Sequence, residues 1–202
     1  TNKDLVHRIS TILRLSLNDI FVIFDRSHYY TCSITDITKK NISVKIISKN
    51  SIIALKPEIH WLLPLLERDF FNEAIYSLTA MGATSITPII TQKSRQKWGT
   101  ESDYDRVTRI AVSAAEQSKN FFIPDIKKPV HFEKAVKNAV GSKILFDVNG
   151  INAYNLCSDL YHQQPKIITC CVGPEGDLHD EEKQYAYHNT FIGCTLTPTV
   201  LR

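Results

Sequence analysis

The segment "VGPEGD", residues 172–177, lies between the apolar run "KIITCC" (166–171) and "LHDEEKQYAYH" (178–188), which has the composition of the first turns of a helix. A buried strand, a short loop and a helix in this order are typical of a parallel α/β sheet. Ligands of such sheets bind in the crevice beyond the carboxyl ends of the strands. The segment therefore indicates both the fold class and the place where a site is expected.

The loop chemistry favours some ligands over others. Gly173 and Gly176 permit a close approach of a ligand to the main chain, Pro174 stiffens the loop, and free N–H groups at a helix start bind anions, bases or ribose. Five carboxylates, however, satisfy the dipole at this helix start: Glu175, Asp177, Asp180, Glu181 and Glu182. A phosphate would be repelled, and neither GxGxxG nor GxxxxGK[ST] is present. A neutral or cationic ligand and a plain tight turn both remain open.

Composition gives the broad class of the protein. The chain has 202 residues, 43% hydrophobic and 22% charged, which is ordinary for a globular protein. No apolar stretch approaches the roughly 18 residues of a membrane span, and the start "TNKDLVHR" lacks the apolar core of a signal peptide. We therefore expect a cytoplasmic protein without a membrane partner.

The cysteine and histidine spacing does not favour a disulfide or a metal site. The 5 cysteines include no CxxC pair, and adjacent Cys170 and Cys171 alternate across a strand, which suits buried, reduced thiols. The histidines show no ligand spacing. We expect no metal.

The first part of the chain has β character. The runs 19–25, 28–34 and 41–48 are rich in Val, Ile, Tyr, Phe and Thr and are separated by turn-like segments. They predict a small barrel or meander that ends near Lys56 and Pro57, so we divide the chain into domains 1–57 and 58–202. Residues 1–56 hold nine Lys and Arg against four Asp, a net charge of +5 that leaves −2 for the rest of a chain with +3 in total. This is typical of a phosphate-backbone contact surface and equally of a solvated lysine-rich surface.

After Pro57, helical and strand periods alternate. Helices are predicted over 71–81 before Gly82, from a Ser102-x-x-Asp105 cap through Phe121, over 132–140 before Gly141, and over 178–188. Strands are predicted over 85–90, 143–148, 166–172 and 190–196, with Pro88 indicating a rim position or an irregularity. Because these strands are apolar on both faces, a parallel sheet with helices on both sides is expected.

Four ordered motifs indicate a family. "VGPEGDLHDEE" followed by "LTPTVLR" (196–202) resembles the Gly-Pro-Glu-Gly-Gly and Leu-Gly-x-x-Ile-Leu-Arg pattern of the RsmE-type ribosomal RNA methyltransferases of the SPOUT superfamily. "AAEQSKNFFIPDI" (114–126) is similar to the family's Ala-x-Glu-Gln-Ser-x-Arg-x-x-Val-Pro segment. "MGATSITPIITQKS" (81–94) is similar to its Leu-Gly-Val-x-x-Ile-x-Pro stretch ending in Arg-Ser, and "HRISTILRLSLNDIFVIFD" (7–25) to its His-x-x-x-Val-Leu-Arg start. The resemblance covers nearly the whole chain.

The resemblance implies an architecture and a reaction. The N-terminal module would be a PUA-like RNA-binding barrel, and the larger domain an α/β SPOUT fold with a C-terminal trefoil knot that usually forms a homodimer. The family transfers a methyl group from S-adenosylmethionine to N3 of a uridine in the 16S RNA of the small ribosomal subunit. This cofactor is a sulfonium cation, which agrees with the acidic character of the loop.

Site residues follow by motif match. The cofactor pocket would be built from three loops, with the adenine and ribose held by main-chain groups: Leu145, Phe146 and Asp147; Gly173, Pro174, Glu175 and Gly176; Leu196, Thr197, Val200 and Leu201. For Leu145 and Phe146, plain strand core is the alternative. Arg202 would orient RNA or stabilise charge on a uracil oxygen, its alternative being a solvated charge. Glu175 is a candidate base or, with slight preference, a residue that holds its loop by accepting N–H bonds. For RNA binding, the candidates are Arg14, Arg26, Lys93, Ser94 and Arg95, with Trp98 nearby.

The sequence departs from the family pattern at several positions. Asp177 stands where the family has the second glycine of its Gly-Pro-Glu-Gly-Gly motif, Thr197 replaces another glycine, and Asn120 and Lys93 replace arginines. A SPOUT protein that binds RNA without catalysis and a methyltransferase for another RNA are therefore alternatives to the main hypothesis. The family also has an extra first barrel strand and a C-terminal Thr-Glu-Thr-Ala helix, so we expect residues beyond both ends in the full gene product.

Overall fold

The computed structural model describes residues 3–38, 40–94 and 98–197. The chain forms two compact units, Thr1–Ile53 and Ala54–Arg202. Each unit has its own sheet.

The first unit contains a three-stranded antiparallel sheet in the order β1–β2–β3. Its strands are β1 (Ile20–Phe24), β2 (His28–Ile37) and β3 (Ile42–Ser51). All three predicted strands are present, in a meander. A short helix, α1 (Lys3–His7), and a π-helical turn (Arg8–Ile12) precede them and were not predicted. Ile9, Cys32 and Ile34 are buried in this unit.

The second unit is a parallel α/β sheet with strand order β10-β8-β9-β4-β5-β6, in which a further strand, β7, also pairs with β5. Every strand pair in this sheet is parallel. The strands are β4 (Glu58–Pro64), β5 (Ser85–Ile90), β6 (Asp125–Ile126), β7 (Val130–His131), β8 (Ser142–Asn152), β9 (Ile167–Cys171) and β10 (Ile192–Thr195). The helices are α2 (Arg68–Ala80), α3 (Glu101–Ser118), α4 (Phe132–Lys137), α5 (Ala153–Gln163) and α6 (Asp180–His188).

Helices cover both faces of this sheet. Side chains of successive strand residues point to opposite faces, and each packs with a different set of helices. Leu63 packs with residues of α2 and α3, whereas its neighbour Leu62 packs with residues of α4 and α6. Cys170 lies in the cluster that includes Leu156 of α5, and Cys171 lies on the opposite face with Leu145. The adjacent cysteines therefore point to opposite faces, as predicted, and all five cysteines are free thiols, of which only Cys157 is exposed.

Pro88 lies at an irregular place in the sheet, which confirms that expectation. On one side, β5 pairs continuously with β4. On the other side, the carbonyls of Thr84 and Ile86 accept the amides of Asp125 and Lys127, and β7 pairs only from Ile89 onward. Along β5, the backbone groups of successive residues face alternately towards β4 and towards the β6 and β7 side. The backbone of Pro88 faces the gap between β6 and β7. The N–H that proline lacks therefore has no ladder partner to lose.

Several predicted helix ends were wrong. Helix α3 begins two residues earlier than predicted, with a capping box formed by Thr100 and Asp103, and it ends at Ser118. Phe121 therefore lies outside the helix and has a positive φ of 57°. Helix α4 ends at Lys137, and Gly141 instead forms a turn with φ 72°, where a Cβ would lie 2.2 Å from the carbonyl oxygen of Ile167.

Among the described residues of the second unit, strands β4, β6 and β7 and helix α5 were not predicted. The central strand β4 has the sequence EIHWLLP between two prolines, and α5 buries only Leu156 among its described side chains. The predicted C-terminal trefoil knot depends in part on the path of residues 198–202, which lie outside the described residues.

Candidate active site

The quoted loop lies where the sequence predicted, between the end of β9 at Cys171 and the start of α6 at Asp180. It contains a tight turn in which the amide of Asp177 donates to the carbonyl of Pro174 at 2.8 Å. Leu178, directly after the turn, is buried. The carboxyl end of β9 is therefore followed by an exposed turn that is fixed to the core by a buried leucine.

A backbone amide and a side chain that follow neighbouring strands bond to this turn. The Glu175 carboxylate accepts a hydrogen bond from the backbone amide of Glu67, which follows β4, at 3.2 Å. The ammonium of Lys93, which follows β5, donates to the Gly176 carbonyl at 2.5 Å. Because parallel strands end at the same edge of a sheet, residues 67, 93 and 175 meet there although they are far apart in sequence.

Glu182 is a buried carboxylate that fixes the start of α6. Its Oε2 accepts the amide of His179 at 3.0 Å, and its Oε1 accepts the amide of Gln92 at 2.9 Å. Only 3% of Glu182 is exposed. The helix start is thus satisfied internally, as predicted, and the same side chain ties it to the loop after β5.

The other carboxylates do not all serve the helix dipole, which corrects the prediction. Glu175 bonds to Glu67, as described, and Asp177 accepts the amide of Leu178 at 2.7 Å and the ammonium of Lys183 at 2.6 Å. Asp177 also has a positive φ of 61°. Asp180 and Glu181 are exposed in the first turn of the helix.

Asp147, in β8, is a buried carboxylate with internal partners on both oxygens. Oδ1 accepts the amide of Asn149 at 3.0 Å, whereas Oδ2 accepts the hydroxyl of Tyr187 at 3.0 Å and lies 3.2 Å from the ammonium of Lys183. Burial alone would raise the pKa of Asp147, but the donors from Asn149, Lys183 and Tyr187 outweigh it and lower the pKa. Burial and the Asp147 carboxylate raise the pKa of the Tyr187 hydroxyl to about 12.

Leu145 and Phe146, the other predicted cofactor residues of β8, have side chains in the core. Leu145 is fully buried with Cys171 and Phe191. Phe146 stacks on Trp61 with a ring centroid distance of 5.7 Å. Any contact of Leu145 with a ligand would therefore use its main chain.

The third predicted cofactor segment is described only in part. Leu196 is exposed, and the Thr195 hydroxyl donates to the carbonyl of Thr197 at 3.0 Å. Val200, Leu201 and the predicted catalytic Arg202 lie outside the described residues.

The predicted RNA-binding residues fall into two groups. Arg14 and Arg26 are exposed on the first unit, where Arg14 has a positive φ of 52°. In the second unit, Lys93 bonds to Gly176 and the Ser94 hydroxyl lies 3.0 Å from both the amide and the hydroxyl of Thr91, so both residues have contacts within the protein. Arg95 lies outside the described residues, and Trp98 packs between Phe71 and Tyr104.

Three residues of this region were not predicted: Lys183, Tyr187 and Glu67. Lys183 and Tyr187 are four residues apart on α6 and face Asp147 together. That spacing is visible in the sequence, but their partner in β8 is not. Within residues 3–38, 40–94 and 98–197, no three or more His, Cys, Asp or Glu side chains are grouped in a way that could hold a metal ion. None of the helices in this part of the chain is long and apolar enough to cross a membrane.

The chain resembles known proteins over nearly its whole length. A family model described as an RNA methyltransferase domain matches residues 54–202, and one described as an RNA methyltransferase PUA domain matches residues 4–47. Two relatives are named ribosomal RNA small subunit methyltransferase E. The protein from Rickettsia conorii is 26% identical over 92% of this chain and 76% of its own length, and the protein from Synechocystis is 26% identical over 98% and 66%.

Solved structures have the same fold. The ribosomal RNA small subunit methyltransferase E of Neisseria gonorrhoeae, bound to S-adenosylmethionine, superposes with a TM-score of 0.87 at 22% identity, covering 100% of this chain and 84% of that chain. A methyltransferase from Legionella pneumophila, in complex with the same cofactor, gives 0.85 at 24% identity with the same coverage. The predicted α/β SPOUT fold with a PUA-like N-terminal domain is confirmed.

The buried Glu182 carboxylate gives a prediction about stability. In Glu182→Gln, the side-chain amide would point its NH2 group at one of two backbone donors and leave that donor unpaired. We expect the free energy of unfolding in urea to fall by about 1–3 kcal/mol. Glu181→Gln makes the same chemical change at the exposed neighbouring position and is expected to change stability by less than about 0.5 kcal/mol. Equal effects of the two substitutions would contradict this role of Glu182.

The pKa of Asp147 gives a prediction about pH. Because its pKa in the folded protein lies below the ordinary value of 3.8, the stability it contributes is present above that value and is lost as the pH falls through the folded-state pKa. The stability difference between wild type and Asp147→Asn should therefore be largest near neutral pH and shrink below about pH 4. Urea denaturation across this range measures it, with Asp159→Asn, at an exposed position of α5, as control. A difference that does not change with pH would be the contrary result.

Proposed function

Because this chain belongs to the RNA methyltransferase family, we propose that it transfers a methyl group from S-adenosylmethionine to N3 of a uridine in 16S ribosomal RNA. The observation that carries the proposal is the family match over residues 54–202, the unit in which the loop 173–177 is held at the carboxyl edge of the sheet. The small-subunit substrate is supported by the names of the relatives. Residues 1–57 form the RNA-binding domain and 58–202 the catalytic domain in this proposal.

The residues of the loop suit this cofactor. A Cβ at Gly173 would lie 2.9 Å from Asp177 Oδ1 and 3.0 Å from the Leu178 amide, so glycine lets the loop pack closely against its own main chain at this position. The nearby carboxylates disfavour a phosphate and tolerate a sulfonium cation. In the proposal, main-chain groups of 173–176 and 196–201 hold the adenine and ribose. Leu145 contributes through its main chain, while Asp147 orders the pocket through Lys183.

The chemistry requires a deprotonated nucleophile. When bound, S-adenosylmethionine would supply an electrophilic methyl group; its transfer to uridine N3 would release S-adenosylhomocysteine, and the N3 proton would pass to a base or to solvent. Arg202 is proposed to stabilise the charge that develops on a uracil oxygen. Glu175 is proposed to hold its loop, which is supported by its bond to the Glu67 amide. Placing the nucleophile in line with the methyl group supplies much of the rate.

We propose RNA contacts for Arg14 and Arg26 on the first domain and, separately, for Lys93, Ser94 and Arg95 on the second. Lys93 would then have two roles, because its ammonium also fixes Gly176. The proposal further places the enzyme in the cytoplasm, as a homodimer that acts on the assembled small subunit.

Methyl transfer tests the proposal directly. The full-length protein is incubated with labelled S-adenosylmethionine and small ribosomal subunits from cells that lack the modification, and the RNA is digested to nucleosides. We expect label in N3-methyluridine. Transfer RNA and fully modified subunits are negative controls, and an enzyme of known activity is the positive control. Label in transfer RNA would show a methyltransferase for another RNA, and binding of subunits without any label would show a protein that has lost catalysis.

Two substitutions at Glu175 separate its two candidate roles. If the side chain holds the loop, Glu175→Gln keeps an oxygen for the Glu67 amide and should retain kcat/KM within about tenfold, whereas Glu175→Ala should lose more. A loss of about 10²–10⁴-fold in Glu175→Gln, with a changed pH profile, would instead identify Glu175 as the base.

A further inference from the structure

Lys183 lies between two carboxylates that belong to different segments of the fold. Its ammonium is 2.6 Å from Asp177 Oδ2 and 3.2 Å from Asp147 Oδ2. Only 14% of its side chain is exposed, compared with 2% for Asp147 and 56% for Asp177. Lys183 thus connects the exposed loop after β9 to the buried interior of β8.

Asp177 has a backbone conformation that favours glycine. Its φ is 61°, in the left-handed region that glycine adopts without steric cost. Aspartate tolerates this region better than most residues when its side chain bonds locally. Here Oδ1 accepts the amide of Leu178 and Oδ2 accepts Lys183, so both oxygens are held. The carboxylate lies over Gly173, where a Cβ would come within 2.9 Å of Oδ1.

Lys183 is itself fixed from the other side. Asp147 is held by the amide of Asn149 and the hydroxyl of Tyr187, both at 3.0 Å, so its Oδ2 is a rigid acceptor. A lysine tied to a rigid buried acceptor can transmit that rigidity to an exposed partner. The position of the Asp177 carboxylate is therefore set by β8 and α6 and not by the loop alone.

We propose that Lys183 is a positioning residue for cofactor binding: by holding the Asp177 carboxylate, it keeps the main chain of 173–177 in the turn that requires a positive φ at residue 177. The inference rests on the proposed function, because it assumes that this loop binds S-adenosylmethionine. It explains how the chain accommodates aspartate at a position that favours glycine without losing the site. Lys183 does not contact the reacting atoms in this scheme.

The test compares cofactor affinity with stability in four full-length variants. Calorimetric titration with S-adenosylmethionine should show about tenfold weaker binding in Lys183→Met, which removes one charged hydrogen-bond partner of Asp177. Asp177→Gly should bind like wild type. The double variant Lys183→Met/Asp177→Gly should regain most of the affinity, because glycine needs no carboxylate anchor. Glu181→Gln, an exposed change on the same helix, is the control.

Stability should respond differently. Lys183→Met leaves the buried Asp147 carboxylate without its cation, so thermal stability should fall in both variants that carry this change, including the double variant that regains affinity. A purely structural role for Lys183 would instead make affinity and stability fall together, with no rescue by glycine. Wild-type affinity in Lys183→Met, or failure of the rescue, would overturn the inference.

Amide hydrogen exchange separates this inference from the proposed function. Exchange at Asp177 and Leu178 should become faster in Lys183→Met and stay unchanged in Glu181→Gln, whether or not a cofactor is added. If the wild-type protein does not bind S-adenosylmethionine, the proposed function and the cofactor role of Lys183 both fail, while the exchange data still report its hold on the loop. If the wild-type protein binds S-adenosylmethionine but Lys183→Met leaves amide exchange at Asp177 and Leu178 unchanged, the inference is overturned while the proposed function stands.

Discussion

The parallel arrangement of the second sheet is the constraint on which the candidate site depends. Parallel strands all end at one edge, and helices that cover both faces leave that edge as the place where loops can meet. The loops after β4, β5 and β9 are brought together in this way, and their polar groups bond to one another: Glu175 to Glu67, Lys93 to Gly176, and Glu182 to Gln92. A site can form there without any of these segments being close in sequence.

The buried carboxylates at this edge of the sheet are stabilised by hydrogen-bond donors and a lysine within the protein. Glu182 and Asp147 are buried, and each has backbone amides or charged donors on its oxygens. Buried carboxylates are costly unless they are paired in this way. Several carboxylates of this edge therefore connect segments of the fold through hydrogen bonds, in addition to repelling anions. The exposed carboxylates of the loop and the helix start are Glu175, Asp177, Asp180 and Glu181, and of these Glu175 and Asp177 have partners within the protein.

Local sequence patterns predicted much of the fold. The strand, the glycine-containing loop and the helix of 166–188, for example, follow one another in a single stretch of sequence. Helix α3 shows a limit of prediction from such patterns. Thr100-x-x-Asp103 and Ser102-x-x-Asp105 both match a capping box, and the helix uses the first. Strand β4 was missed because a short apolar run between two prolines does not distinguish a central strand from a loop. The residues of the pairs Asp147–Lys183 and Glu67–Glu175 are far apart in sequence and come together only in the folded chain. No local sequence pattern therefore predicts these pairs.

Pro88 and its neighbours have a consequence for how the sheet ends. The outer side of β5 meets two strands of only two residues each, Asp125–Ile126 and Val130–His131, with the proline facing the interval between them. A strand from another molecule would need a continuous row of amides and carbonyls to extend a sheet. In this part of the described chain that row is broken at its middle. Growth of the sheet by strand addition is therefore disfavoured at this edge, because an incoming strand would find no continuous row of partners.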